Sequence, residues 1–150
     1  MKNVLISACL YGQKCRYDGG DNLVESLDKI RNLCNLIPVC PEVLGGLETP
    51  RNPSEIVGER VISNVGKDVT EEYTKGAEKA LKTAIKNGCE FALMKAKSPS
   101  CGVGKIYDGT FSRKLIDGDG ITAKLLKEHG IKVYNETEID EFLKCIAEEK

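Results

Sequence analysis

Four short segments, residues 4–8, 36–39, 91–94 and 131–134, are rich in apolar side chains and largely lack the in-out alternation of a half-buried strand. Such runs are the signature of strands covered on both faces. Between them the spacing changes to that of helices. Leu27, Ile30, Leu33 and Cys34 keep a helical period behind Ser26, which stands at the position of an N-cap. A longer stripe, Tyr73, Ala77, Ala80, Leu81, Ala84 and Ile85, predicts the longest helix, with Asp68 and Glu71 as a capping box and Gly88 at its C′ position. Ile121, Leu125 and Leu126 predict a helix closed by Gly130, and Ile139, Phe142, Leu143 and Ile146 a terminal one. Strands separated by helices in this way predict a small three-layer, Rossmann-like α/β domain with a mainly parallel sheet. Residues 60–65 read as a hairpin strand. The segment around Gly45-Gly46 and residues 49–53, with two prolines, reads as an irregular excursion able to serve as a lid or substrate loop.

The length of 150 residues suits one domain over 1–150, and a chain of that size buries about two thirds of its unfolded surface, so it needs no disulfides. A net charge of -1 supplies no basic field for non-specific nucleic-acid binding, although a local RNA contact is compatible with it. The apolar run at residues 4–10 is too short for a secretory core or a membrane span, so the expected location is cytoplasmic, with no membrane partner. Seven cysteines are many for a reducing compartment, where thiols serve as ligands or nucleophiles. No C-x-x-C pair occurs, which argues against a zinc ribbon or a thioredoxin-like couple.

Three strands each end in a thiol: Cys9, Cys40 and, in the Pro/Ser/Gly turn of KAKSPSCGVG, Cys101. In open α/β sheets ligands bind outside the carboxyl ends of strands, so this topology brings three cysteines, far apart in sequence, to one edge. Soft thiolates suit an iron-sulfur cluster, Zn²⁺ or Cu(I), and three of them leave one position open for chemistry. A fourth ligand from Cys15 closes the site and makes it structural or electron-transferring. Cys34 and Cys89 read as core residues, Cys145 lies beside the last apolar stripe, and His129 as a helix-end residue. Gly102-Val103-Gly104 begins a dinucleotide fingerprint that Tyr107 breaks, and Gly66-Lys67 is followed by Asp68, so no phosphate loop is present. Glu42, Asp18, Ser98 and Ser100 fall near the same edge as acid, base or water-positioning groups, or as turn and cap residues.

Taken together, Ile6-Ser7-Ala8-Cys9-Leu10, Cys15-Arg16-Tyr17-Asp18-Gly19, Pro38-Val39-Cys40-Pro41-Glu42-Val43-Leu44-Gly45-Gly46-Leu47, Thr49-Pro50-Arg51 and Lys97-Ser98-Pro99-Ser100-Cys101-Gly102 resemble the thiouracil desulfidase (TudS-like) family. Ile106-Tyr107-Asp108-Gly109-Thr110-Phe111 and Gly118-Asp119-Gly120-Ile121-Thr122-Ala123 resemble it as well. The resemblance implies an oxygen-sensitive [4Fe-4S] cluster on Cys9, Cys40 and Cys101, and non-redox removal of sulfur from thiolated uracil with Glu42 and a serine, Ser98 or Ser100. Cys15 belongs to the matching motif without being needed by a three-ligand count. Arg16, Asp18, Arg51, Lys95 and Lys97 are the charged residues placed to orient a base or a ribose phosphate. Three other roles stay open on the sequence: sulfide carriage or donation to a thiolated tRNA, a non-enzymatic iron-sulfur sensor, and a zinc module.

Overall fold

The computed structural model describes residues 1–148. Its centre is a four-stranded sheet in the order β2-β1-β5-β8, formed by β1 (Asn3–Ser7), β2 (Asn35–Val39), β5 (Phe91–Met94) and β8 (Lys132–Asn135). Every pairing in it is parallel, with Val4 opposite both Leu36 and Phe91. The expected α/β architecture is what the chain adopts.

The pleat explains why the strands read as continuous apolar runs. Val4, Ile6, Phe91 and Leu93 point to one face, where they pack with Leu27 and Ile30 of α1 (Leu27–Arg31) and Phe142 and Ile146 of α5 (Ile139–Glu148). Phe91 and Phe142 meet edge to face at 6.4 Å. Leu5, Ala92 and Met94 point to the other face, against Ala80 and Ala84 of α3 (Thr70–Lys86) and Leu126 of α4 (Ile121–Glu128). Both faces are thus dry, and alternation has nothing to report.

Local details differ from expectation. Ser26 occupies the N-cap of α1 without a side-chain cap bond, and Leu33 lies outside the helix, exposed. The expected Asp68–Glu71 capping box does not form: Val69 is the N-cap of α3, and the Asp68 carboxylate instead takes the Thr70 N–H and pairs with Arg60. Burial still follows the predicted stripe from Tyr73 to Ala84, but Ile85 is solvent-facing. Two antiparallel hairpins sit beside the sheet. The pair β3 (Ser54–Val57) and β4 (Arg60–Ser63) matches the expected 60–65 strand, whereas β6 (Lys105–Tyr107) with β7 (Leu115–Asp117) had no sequence signal.

A four-residue helix, α2 (Pro41–Leu44), follows β2 directly and lies against α3. Its approach is set by two glycines. A Cβ on Gly45 would fall 1.8 Å from the Glu72 carbonyl oxygen, and one on Gly76 would fall 1.8 Å from the Pro41 carbonyl oxygen. Gly76→Ala is therefore expected to push α2 off α3 and destabilise the protein by at least about 1–3 kcal/mol. Thermal unfolding measures this, at about 2–4 °C for each kcal/mol; an unchanged melting temperature would show that the two helices are free to part.

Candidate active site

The chain leaves β1 toward β2 on one side and later returns to β5 on the other, so the carboxyl ends of β1, β2 and β5 flank the place where the strand order reverses. That is where an open parallel sheet leaves a crevice. A pocket of about 450 Å³ lies there, and Cys9, Cys15, Cys40 and Cys101 all line it.

Each thiol arrives differently. Cys9 sits two residues beyond β1, in a turn where its carbonyl accepts the Gly12 and Asn22 N–H groups. Cys40 is the N-cap of α2, with its sulfur near the Cys15 carbonyl. Cys101 stands seven residues past the end of β5, and the turn that returns it is bonded to the start of α4. Pro99 accepts from the Ile121 N–H, Ser100 from Thr122 and Ala123, and Gly120 donates to Gly102. These carbonyls satisfy N–H groups that a helix start otherwise leaves open. A Cβ on Gly120 would lie 2.4 Å from the Ser100 carbonyl oxygen, so the contact requires glycine there.

The thiols feel one another. The Cys15 thiol hydrogen-bonds that of Cys40 and pulls it down to about 7, aided by the Val43 N–H and against the effect of burial, while Cys15 itself is driven up. Burial raises Cys9 and Cys101, and the negative charge of neighbouring thiolates raises them further. Three thiolates can be held in this pocket together only if positive charge is held with them.

Glu42, on the first turn of α2, points at the same pocket. Its carboxylate is fixed from both sides. Arg51 donates from Nη2 to Oε2 at 2.6 Å, and the Tyr73 hydroxyl donates to Oε1. Arg51 is almost wholly buried and also donates to the Cys15, Glu48 and Thr49 oxygens, so it braces Glu42 and the Cys15 loop from behind rather than lining the pocket. Burial, then the charge of Glu42, pushes the Tyr73 phenol well above its ordinary range, which keeps it a donor.

The two serines separate. Ser98 lines the pocket, and its hydroxyl oxygen accepts the N–H groups of Ser100 and Cys101 at 3.1 Å, leaving its own proton to donate. Ser100 is fully buried with its hydroxyl 2.7 Å from that of Thr122, outside the lining. Arg16, Lys95 and Lys97 line the pocket. The Lys95 ammonium is paired with Glu136 at 2.8 Å. Asp18 lies off the pocket, capping Gly20 and pairing with Arg16.

Several lining groups carried no sequence signal of function: Tyr73, read as a stripe residue, and Glu55 and Arg113 on the hairpins; Phe111 closes the family-like segment at 106–111 but no role attaches to it there. Tyr73 keeps the helical period, so only its hydroxyl on a core-facing position hinted at a partner. Phe111 and Arg113 both adopt left-handed backbone, at φ 58° and 63°, a conformation that costs a non-glycine residue about 1–2 kcal/mol. Among the described residues, no group of three His, Cys, Asp or Glu side chains is arranged to hold a single metal ion.

A family model for 2-thiouracil desulfurase matches residues 4–138. The chain belongs to that family. A solved structure described as a [4Fe-4S]-dependent thiouracil desulfidase, TudS, superposes with a TM-score of 0.92 at 42% identity, covering 98% of this chain and 99% of that one. YbbK, an uncharacterized protein of Bacillus subtilis (strain 168), is 41% identical over 150 residues, 93% of this chain and 99% of its own length. Family and neighbour alike associate the fold with desulfuration of thiouracil, and among the described residues no helix is long and apolar enough to cross a membrane.

Proposed function

We propose that this chain is an iron-sulfur-dependent desulfidase that exchanges the sulfur of a thiolated uracil for the oxygen of water, giving uracil and hydrosulfide. The observation that supports it most directly is the meeting, in one pocket, of three thiols from three strand ends with a carboxylate clamped between Arg51 and Tyr73. The donor set fits a [4Fe-4S] cluster. Three soft thiol donors line one pocket, and thiolates that oppose one another's ionisation there need a compensating cation, which an iron-sulfur core would supply. Cys9, Cys40 and Cys101 would hold the cluster, which when bound supplies an open Lewis-acidic iron for the thiocarbonyl sulfur.

The remaining work falls to side chains of the pocket. Ser98, with its hydroxyl oxygen held by two N–H groups, aims its proton and so orients a water. Glu42 accepts one proton from that water as the water oxygen attacks the ring carbon. The C–S bond then breaks, the sulfur leaves as hydrosulfide with the second water proton, and Glu42 returns its proton to solvent. Arg51 and Tyr73 keep the carboxylate from turning away throughout. Arg16 and Lys97 stand at the pocket to meet the polar edge of the substrate. Arg51 acts on the substrate only through Glu42. Asp18 acts through Arg16, and Ser100 through the turn that carries Cys101. We assign this chemistry to a single domain over 1–150, in a cytoplasmic setting where the thiols stay reduced; a thiolated tRNA fragment would engage the same pocket only through its thiolated base.

Anaerobic incubation of the reconstituted protein with 4-thiouracil and 2-thiouracil tests the reading. Release of sulfide with stoichiometric uracil is expected. No sulfide from either compound would overturn it, and sulfide passed to an acceptor without uracil formation would favour the carrier role.

A further inference from the structure

The β6–β7 hairpin carries a wall of the pocket that the proposed chemistry does not use. Its loop is tied down at both ends: the Asp108 N–H donates to the Lys114 carbonyl, Asp108 accepts from the Thr110 N–H and hydroxyl, and the Thr110 hydroxyl meets Ser112. The firmest tie comes from another element. Glu55, on β3 and only 8% exposed, accepts the Gly109 N–H at 3.0 Å and the Phe111 N–H at 3.2 Å through one carboxylate oxygen. A buried carboxylate spent on two backbone amides is an expensive anchor unless the loop conformation matters. That conformation is strained at Phe111, whose left-handed backbone turns an aromatic side chain onto the pocket while leaving it 38% exposed. Strain of this kind persists where surrounding structure over-determines it, and it gathers at ligand clamps.

Phe111 differs from the other aromatic rings at the pocket. The Tyr17 ring already carries the Arg16 guanidinium at 5.8 Å, Tyr73 is committed to Glu42, and Tyr107 is paired within the hairpin opposite Leu115. Among the described residues no ring or cation is stacked on Phe111. An apolar ring left uncovered at a pocket rimmed by charged groups offers a flat face to a flat ligand.

We infer that Phe111 is the stacking platform for the pyrimidine ring of the substrate and that Glu55 is the positioning residue holding that platform in its left-handed conformation. The inference rests on the desulfidase reading for its ligand. Its observations are independent of the cysteines. A ring that selects planar heteroaromatic thiocarbonyls also separates them from aliphatic thioamides, which present no aromatic ring face.

The test combines turnover with binding. For the cluster-loaded protein, Phe111→Ala is expected to raise the KM for 4-thiouracil roughly ten- to hundredfold, the range that loss of one base-aromatic stack implies, with kcat changed by less than about threefold. Phe111→Trp restores KM. Glu55→Ala raises KM in the same way, and Glu55→Gln, whose amide oxygen still accepts the two N–H groups, rescues it with iron content unchanged throughout. A KM within twofold of the parent for Phe111→Ala overturns the assignment, as does a Glu55→Gln variant no better than Glu55→Ala. Equilibrium dialysis of 4-thiouracil against parent and Phe111→Ala proteins, each carrying Glu42→Gln to block turnover, reads binding alone. Retained binding that Phe111→Ala weakens supports the platform even if no sulfide is released and the desulfidase reading fails, whereas equal binding, or none by the parent, rejects it.

Discussion

Cys9→Ser, Cys40→Ser and Cys101→Ser are each expected to abolish the visible absorption and acid-labile sulfide of anaerobically reconstituted protein, while Cys15→Ser keeps both. Ligand number and hardness decide the outcome. A site with three protein thiolates has none to spare, and a serine oxygen is a poor replacement for a soft sulfur donor. Cys15 lines the same pocket, yet its thiol is hydrogen-bonded to Cys40 and its carbonyl is held by Arg51. It therefore reads as a neighbour of a ligand rather than a ligand. Iron and sulfide content per chain, measured for all four variants and the parent, settles the matter. Undiminished iron in any of the first three removes that residue from the ligand set. Equal loss in Cys15→Ser would mean a closed four-thiolate site, which belongs to an electron carrier or sensor, and colourless parent protein with one zinc would discard the cluster altogether.

The second large effect is kinetic. Glu42→Gln is expected to lower turnover by about 10²–10⁴-fold with iron content unchanged, the range lost when a positioned proton acceptor is removed. The amide keeps the shape of the carboxylate: its oxygen can still accept from Arg51 while its NH2 donates to the Tyr73 hydroxyl oxygen, so the fold around α2 survives. Tyr73→Phe removes only one charge-assisted hydrogen bond, a loss of about 1.5–3 kcal/mol at most, and is expected to slow turnover by about tenfold. Near-normal turnover in Glu42→Gln would shift the base to Glu55, the other carboxylate among the described lining residues.

Much of this architecture is written in apolar runs. Val4, Leu5 and Ile6 need cover on two faces, and that requirement alone calls for helices in layers around a parallel sheet. The same topology implies that thiols following β1, β2 and β5 share an edge. What a periodic reading cannot hold is anything decided by contact across the fold. The β6–β7 hairpin is exposed on β7 and stabilised from outside by Glu55, so its own residues offer no amphipathic pattern. Gly45 and Gly76, 31 positions apart, look like breakers until α2 and α3 are seen touching. Arg51 looks like a free cation, although burial makes it a brace, and Ser98 and Ser100 are indistinguishable until Thr122 claims one of them. Asp68 lies alongside β4, where its carboxylate pairs with Arg60 and takes the Thr70 N–H rather than closing the box its sequence suggests.

The bonds between the Cys101 turn and the first turn of α4 have a consequence for assembly. Cys9 and Cys40 follow their strands by one or two residues, but Cys101 is placed only when the 99–102 backbone has docked on residues 120–123. With Cys101 as the proposed third ligand, cluster occupancy and the integrity of α4 would be thermodynamically linked: whatever holds that sulfur would also penalise fraying of the helix. Slowed amide hydrogen exchange at Ile121, Thr122 and Ala123 on cluster loading, with little change in α1 on the opposite face of the sheet, is the signature that linkage leaves.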